Sequence, residues 1–152
     1  MTGIKGGGRA KDSGRGQVLA EFALVIPLFL AVFIGIAEGG YFVAATTIVS
    51  HATQEGARYG VLHSTPTVDA VQTRVRDRAA PVVSILKAGV EVCVVGKAKP
   101  CDESKYQARA IGDRLEVTTT YQHRPLVGYV FPGLTFQANA RTELLVEGDP
   151  TP

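Results

Sequence analysis

No charged side chain occurs between Phe22 and Ala37, no proline between Tyr41 and Gly60, and only two cysteines in 152 residues. Each scarcity narrows the possibilities. An uncharged run of that length belongs in a membrane or in the buried centre of a soluble protein, not on a wetted surface. Without proline, a helix begun in the apolar run meets no strong breaker before Gly60. Two cysteines do not make a metal site unless further ligands lie near them. Catalytic signatures are also missing: there is no Gly-x-Ser-x-Gly, no phosphate-binding glycine loop and no His-Glu-x-x-His. No catalytic, cofactor-binding or metal-ligating residue is therefore assigned, and neither an enzyme nor a small-molecule substrate is expected. The formal net charge is +2 and is not gathered into a folded basic patch, which argues against nucleic acid as a partner.

What the chain does have begins with the apolar run itself. Val18 to Ala37 makes 20 residues, enough for about 30 Å of helix, the thickness of a bilayer's hydrocarbon core. A secretory signal has a shorter apolar region, of about 7–15 residues, closed by a small-residue cleavage site. Here the small residues of Phe42-Val43-Ala44-Ala45 lie too far downstream for that. In front of the run, Lys5, Arg9, Lys11 and Arg15 are offset by Asp12 alone. Lys and Arg accumulate on the cytoplasmic flank of membrane spans. The expectation is a single-pass membrane protein with its N-terminus cytoplasmic and its C-terminal domain outside. Pro27 should kink the helix near its start. Glu21 is conspicuous, because a charge in a lipid-facing helix costs of order 2.5–3.5 kcal/mol at the bilayer centre and less near the interface.

One face of the span suits close contact. Ala31, Gly35 and Gly39 recur every four residues, a spacing that lets two helix backbones approach where lipid supplies no hydrophobic drive. Beyond Tyr41 the helix should continue outside the membrane, with another small-residue row at Ala52, Gly56 and Gly60. Gly60 and His63-Ser64-Thr65-Pro66 look like a helix stop and turn. His51 and Glu55 stand four apart and could face one metal, but no third ligand supports that, and a solvated helix face is the better reading.

After Pro66 the chain changes character. Thr67 or Asp69 should open a second helix, with Val68, Val71, Val75 and Ala79 on its inner side and Arg74, Arg76, Asp77 and Arg78 on a solvated one. Pro81 should break it and Ala88-Gly89 close the region. Strands are expected over 90–95, 114–122 and 134–146. The middle one alternates cleanly, Leu115, Val117, Thr119 and Tyr121 against Glu116, Thr118, Thr120 and Gln122. The apolar segment from Arg124 to Gly133, broken by two prolines and two glycines, reads as a loop or short helix covering the sheet. Cys93 and Cys101 are eight positions apart around a turn-rich loop. An oxidising exterior permits a bridge between them, with two free thiols as the alternative.

Three stretches carry a family resemblance. Gly16-x-x-x-x-Glu21-Phe22-Ala23-Leu24-Val25-Ile26-Pro27, Gly35-Ile36-Ala37-Glu38-Gly39-Gly40 and Glu55-Gly56-Ala57-Arg58-Tyr59 together resemble the TadE-like family over about residues 15–61. That family comprises pseudopilins or minor pilins of tight-adherence (Flp-type) pilus systems. The resemblance implies an α+β, pilin-like fold: a long N-terminal helix, half transmembrane and half extracytoplasmic, with a small C-terminal antiparallel sheet domain. It implies a basic leader over 1–16, a transmembrane helix over 17–40, a helix extension and turn over 41–65, and an extracytoplasmic α+β domain over 66–152. It further implies cleavage between Gly16 and Gln17 by a prepilin peptidase. Glu21 would then stand at the fifth mature position, and Glu21, Phe22, Ala31, Gly35 and Gly39 would serve assembly. The implied partners are the membrane, other pilin or pseudopilin subunits and the pilus assembly platform, with a surface pilus as the further destination. The competing expectation is a bitopic, membrane-anchored binding module that never enters a filament.

Overall fold

The protein is described by a computed structural model that covers residues 13–63, 66–80, 82–85, 89–97, 101–129 and 133–147. The expectations placed on Lys5, Arg9, Lys11, Asp12, Ser64, Thr65, Pro81, Ala88 and residues 98–100 and 130–132 lie outside these residues. The chain divides into two compact units, one ending at Gly39 and one beginning at Gly40. Helix α1, Ser13–Leu62, contributes to both and runs through Pro27 without interruption. The expected α+β class is what the chain adopts: a long apolar N-terminal helix and a three-stranded antiparallel sheet.

In the second unit, α1 turns Ala45, Val49, Ala52, Thr53, Ala57 and Val61 inward, all of them buried. Apart from the adjacent Ala52 and Thr53, these positions step by three and four, so they form one buried stripe of the helix. Helix α2, Val68–Ala79, buries Val71, Val75 and Ala79. Its start is set by Thr67, whose hydroxyl accepts the Ala70 N–H at 3.1 Å, satisfying one of the donors a helix N-terminus leaves open. Asp69 in its first turn and Arg76 and Arg78 in its last complement the helix dipole.

The sheet comprises β1, Val90–Val94, β2, Arg114–His123, and β3, Phe136–Leu145, in the order β1-β2-β3. Strand β2 is central, and its buried face is Leu115, Val117, Thr119 and Tyr121, the face that its alternation predicts. The register sets Val92 and Thr142 on either side of Val117, and Val90 and Ala140 on either side of Thr119. Buried Thr119 would be costly without a partner. It shares a hydrogen bond with the buried Thr53 hydroxyl of α1 at 2.8 Å. On the outer face Arg141 reaches Glu116 at 2.8 Å and Glu143 at 2.7 Å, exposed pairs worth roughly 0–1 kcal/mol each.

Two local departures have plain causes. A five-residue helix, α3, Glu103–Gln107, was not foreseen; it is too short for apolar periodicity and owes its start to Asp102, which accepts the Lys105 N–H at 2.9 Å. Gly60 does not stop α1, which continues to Leu62. It is a packing residue: a Cβ there would stand 2.7 Å from Leu115 Cδ2. The helix ends instead where the His63 ring packs at a tilt against Tyr59, ring centroids 4.2 Å apart, with Nδ1 3.0 Å from the Tyr59 carbonyl. Within the segment 124–133, Leu126–Tyr129 forms a 3₁₀ turn; Pro125 and Gly128 are buried and Leu126 is exposed.

Candidate functional site

The first unit presents the residues expected to act in assembly. Gly16, Gln17, Glu21, Phe22, Ala31, Gly35 and Gly39 all lie on α1, and all are exposed. The large apolar side chains around them are exposed too: Phe22 is 61% and Ile36 71% accessible. So much uncovered hydrocarbon is foreign to a water-facing helix. The helix is long and apolar enough to cross a membrane. Around Gly16, Gly35 and Gly39 the space is open, with nothing within 4 Å of where a Cβ would stand.

At 3.6 residues per turn, five turns separate Glu21 from Gly39, so the two share an angular position on the helix. Ala31, Gly35, Gly39, Gln17 and Glu21 all fall within an arc of roughly 80°, while Phe22 points away from it. The carboxylate and the small-residue row therefore occupy one face. The Gln17 side-chain amide donates to Glu21 Oε1 at 3.3 Å, which puts the residue after the expected cleavage point within reach of the carboxylate.

In the second unit the row Ala52, Gly56, Gly60 has an internal purpose. A Cβ on Gly56 would overlap Val75 Cγ2 of α2 and stand 3.5 Å from the Val71 carbonyl. Glycine here is what allows α1 and α2 to touch. Glu55, one residue earlier, accepts from Arg74 at 3.0 Å and Arg78 at 3.2 Å. These two hydrogen bonds hold its carboxyl below the usual carboxylate range. The Arg-rich side of α2 is thus engaged with α1 rather than merely solvated. Its signal was there in the sequence, as two arginines four apart, but the partner lies 19 and 23 positions away.

Cys93 and Cys101 are joined, with their Cα atoms 5.1 Å apart. The loop they close is pinned further by Lys97, whose ammonium donates to the Ala108 carbonyl at 2.8 Å. Asp102, next to the bridge, has its carboxyl lowered by the Lys105 N–H and the Ser104 hydroxyl. Tyr106 of α3 is buried against the sheet and α1, its hydroxyl donating to the Gly60 carbonyl at 3.2 Å; burial pushes it up to about 12. Closing so short a loop stabilises by roughly 2–3 kcal/mol. Cys93→Ser with Cys101→Ser should lower the unfolding free energy obtained from denaturant titration by that amount while leaving membrane insertion intact. Alkylation under denaturing, non-reducing conditions followed by intact mass provides the control. Two modified thiols in the unsubstituted chain would contradict the bridge.

A candidate membrane helix leading into a small, disulfide-closed α+β unit is the layout of a single-pass protein. Residues 16–58 match the family model of the TadE-like protein, as the sequence resemblance anticipates. The match covers the apolar helix and ends at Arg58, inside the stretch that packs on α2. No curated protein and no solved structure matches the chain.

Proposed function

We propose that this protein is a minor pilin or pseudopilin-like subunit that takes part in assembly of a tight-adherence pilus through its N-terminal helix. The observation that carries this reading is the TadE-like match over residues 16–58. It coincides with an uncovered apolar helix whose Gln17, Glu21 and small-residue row share one face. In this reading residues 1–16 are a cytoplasmic leader, 17–40 cross the membrane, 41–65 extend the helix outside, and 66–152 fold there as the α+β domain. Prepilin peptidase cuts between Gly16 and Gln17, and the freed amine meets Glu21. The partners are the lipid bilayer, other pilin or pseudopilin subunits and the assembly platform.

Intact mass of the membrane form tests the first step. In peptidase-positive cells the chain should lack residues 1–16, and Gly16→Ala should retain them. An unsubstituted chain that begins at Met1 or Thr2 under those conditions would leave a bitopic binding module as the better description.

A further inference from the structure

Of the stretch Glu55-Gly56-Ala57-Arg58, three residues have work inside the second unit. Glu55 pairs with α2, Gly56 admits Val75, and Ala57 is fully buried. Arg58 is different. It is exposed, and its side chain makes no hydrogen bond or ion pair among the described residues. It borders an open groove of about 670 Å³ lined by α1, α2 and β3. We propose that this groove binds an acidic segment of another protein, with Arg58 and Arg78 receiving its carboxylates and Ile48 and Leu144 its apolar side chains.

The charge count favours an acidic occupant. Of the charged residues that line the groove, Arg58 and Arg78 face a single carboxylate, Glu55, which leaves a net charge of +1 (two minus one), and that carboxylate is also engaged by Arg74, which does not line the groove. Both ion pairs use the same oxygen, Glu55 Oε1. Glu55 therefore orients the Arg74 and Arg78 forks without saturating them, since each guanidinium has five N–H donors. Arginine's planar fork matches a carboxylate in two parallel hydrogen bonds.

The floor argues for protein over a small anion. Ile48 and Leu144 are half-buried and Ala52 is buried, giving an apolar bed between polar rims. Among the described residues no buried side-chain polar atom lacks a partner, so nothing in the bed waits for a small polar ligand. An apolar centre with an arginine rim is the make-up of a protein interface. The inference rests on this groove alone and is independent of leader cleavage or pilus incorporation.

The probe is a short fluorescent peptide alternating leucine and glutamate, with its leucine–lysine counterpart as the control, titrated into the detergent-solubilised full chain. The acidic peptide should bind and the basic one should not. Arg58→Ala should weaken binding by roughly fivefold and Arg58→Glu by tenfold or more. Because the Arg58 side chain is exposed and makes no hydrogen bond or ion pair among the described residues, its replacement should leave the thermal melt unchanged, which shows that the fold is intact. Leu144→Ser should weaken the same peptide, whereas sodium acetate at matched ionic strength should not displace it. Equal binding of the two peptides, or unchanged affinity in Arg58→Glu, would overturn the proposal. So would displacement by acetate, which would make the groove a simple anion site. Dimerisation of the unsubstituted chain that Arg58→Glu abolishes would likewise overturn it in favour of a second copy.

Discussion

Gly56→Leu is expected to destabilise the second unit by about 3 kcal/mol, at the upper end of what overpacking a core costs. Two effects compete at this position. Glycine inside a helix is disfavoured by about 1 kcal/mol relative to alanine, so any side chain should help α1 locally. Against that, even a Cβ would overlap Val75 Cγ2, and Val75 is fully buried. Valine is stiff at χ1 and cannot swing its methyl aside. The overlap therefore wins, and Gly56→Ala should cost about 1–2 kcal/mol despite its better helix propensity. Val75→Ala removes the opposing methyl and leaves a small cavity. The double variant should then be more stable than the sum of the single costs predicts, by about 1 kcal/mol, because each change relieves the other. Pulse proteolysis of the full chain in detergent reads this directly. Strict additivity would mean that the helices part slightly instead of sharing the contact.

That contact also shows which features of the fold were legible in the sequence. Alternation in β2 identified its buried face because an antiparallel strand with one wet side repeats every two residues. The valine steps of α2 predicted its inner side for the corresponding helical reason. The row Ala52, Gly56, Gly60 was visible as spacing, but its neighbours were not. Val75 and Leu115 stand 19 and 55 positions away from Gly56 and Gly60, and no local pattern names a tertiary partner. The same gap hid the Glu55 link to Arg74 and Arg78, which turned an apparently solvated face into a contact. It hid the groove as well, because three separate elements line it. At the other end of the chain, helical spacing alone aligned Ala31, Gly35 and Gly39, since one element carries all three.

Glu21→Gln and Gly35→Leu should each sharply reduce recovery with pilus components while leaving membrane insertion and folding of the second unit unchanged. After cleavage the amine of Gln17 would carry a positive charge at the edge of lipid, where attraction between charges greatly exceeds its strength in water. Glu21 lies one helical turn away, and the Gln17 side chain already touches it at 3.3 Å. A carboxylate from the same or a neighbouring subunit offsets the desolvation of that amine, and glutamine offers hydrogen bonding without the charge. Gly35 would act through space instead. Nothing lies within 4 Å of where its Cβ would stand, so leucine fits the isolated chain but would hold a second backbone away. Ala37 supplies the control, since it lies on the other side of α1 from the row, and Ala37→Leu adds similar bulk without filling that face. The measurement is co-purification with pilus components at matched expression. Loss in Gly35→Leu but not in Ala37→Leu would locate the contact on the face shared by Gln17, Glu21, Ala31, Gly35 and Gly39. Equal recovery of all three variants and the unsubstituted chain would reduce the helix to a membrane anchor.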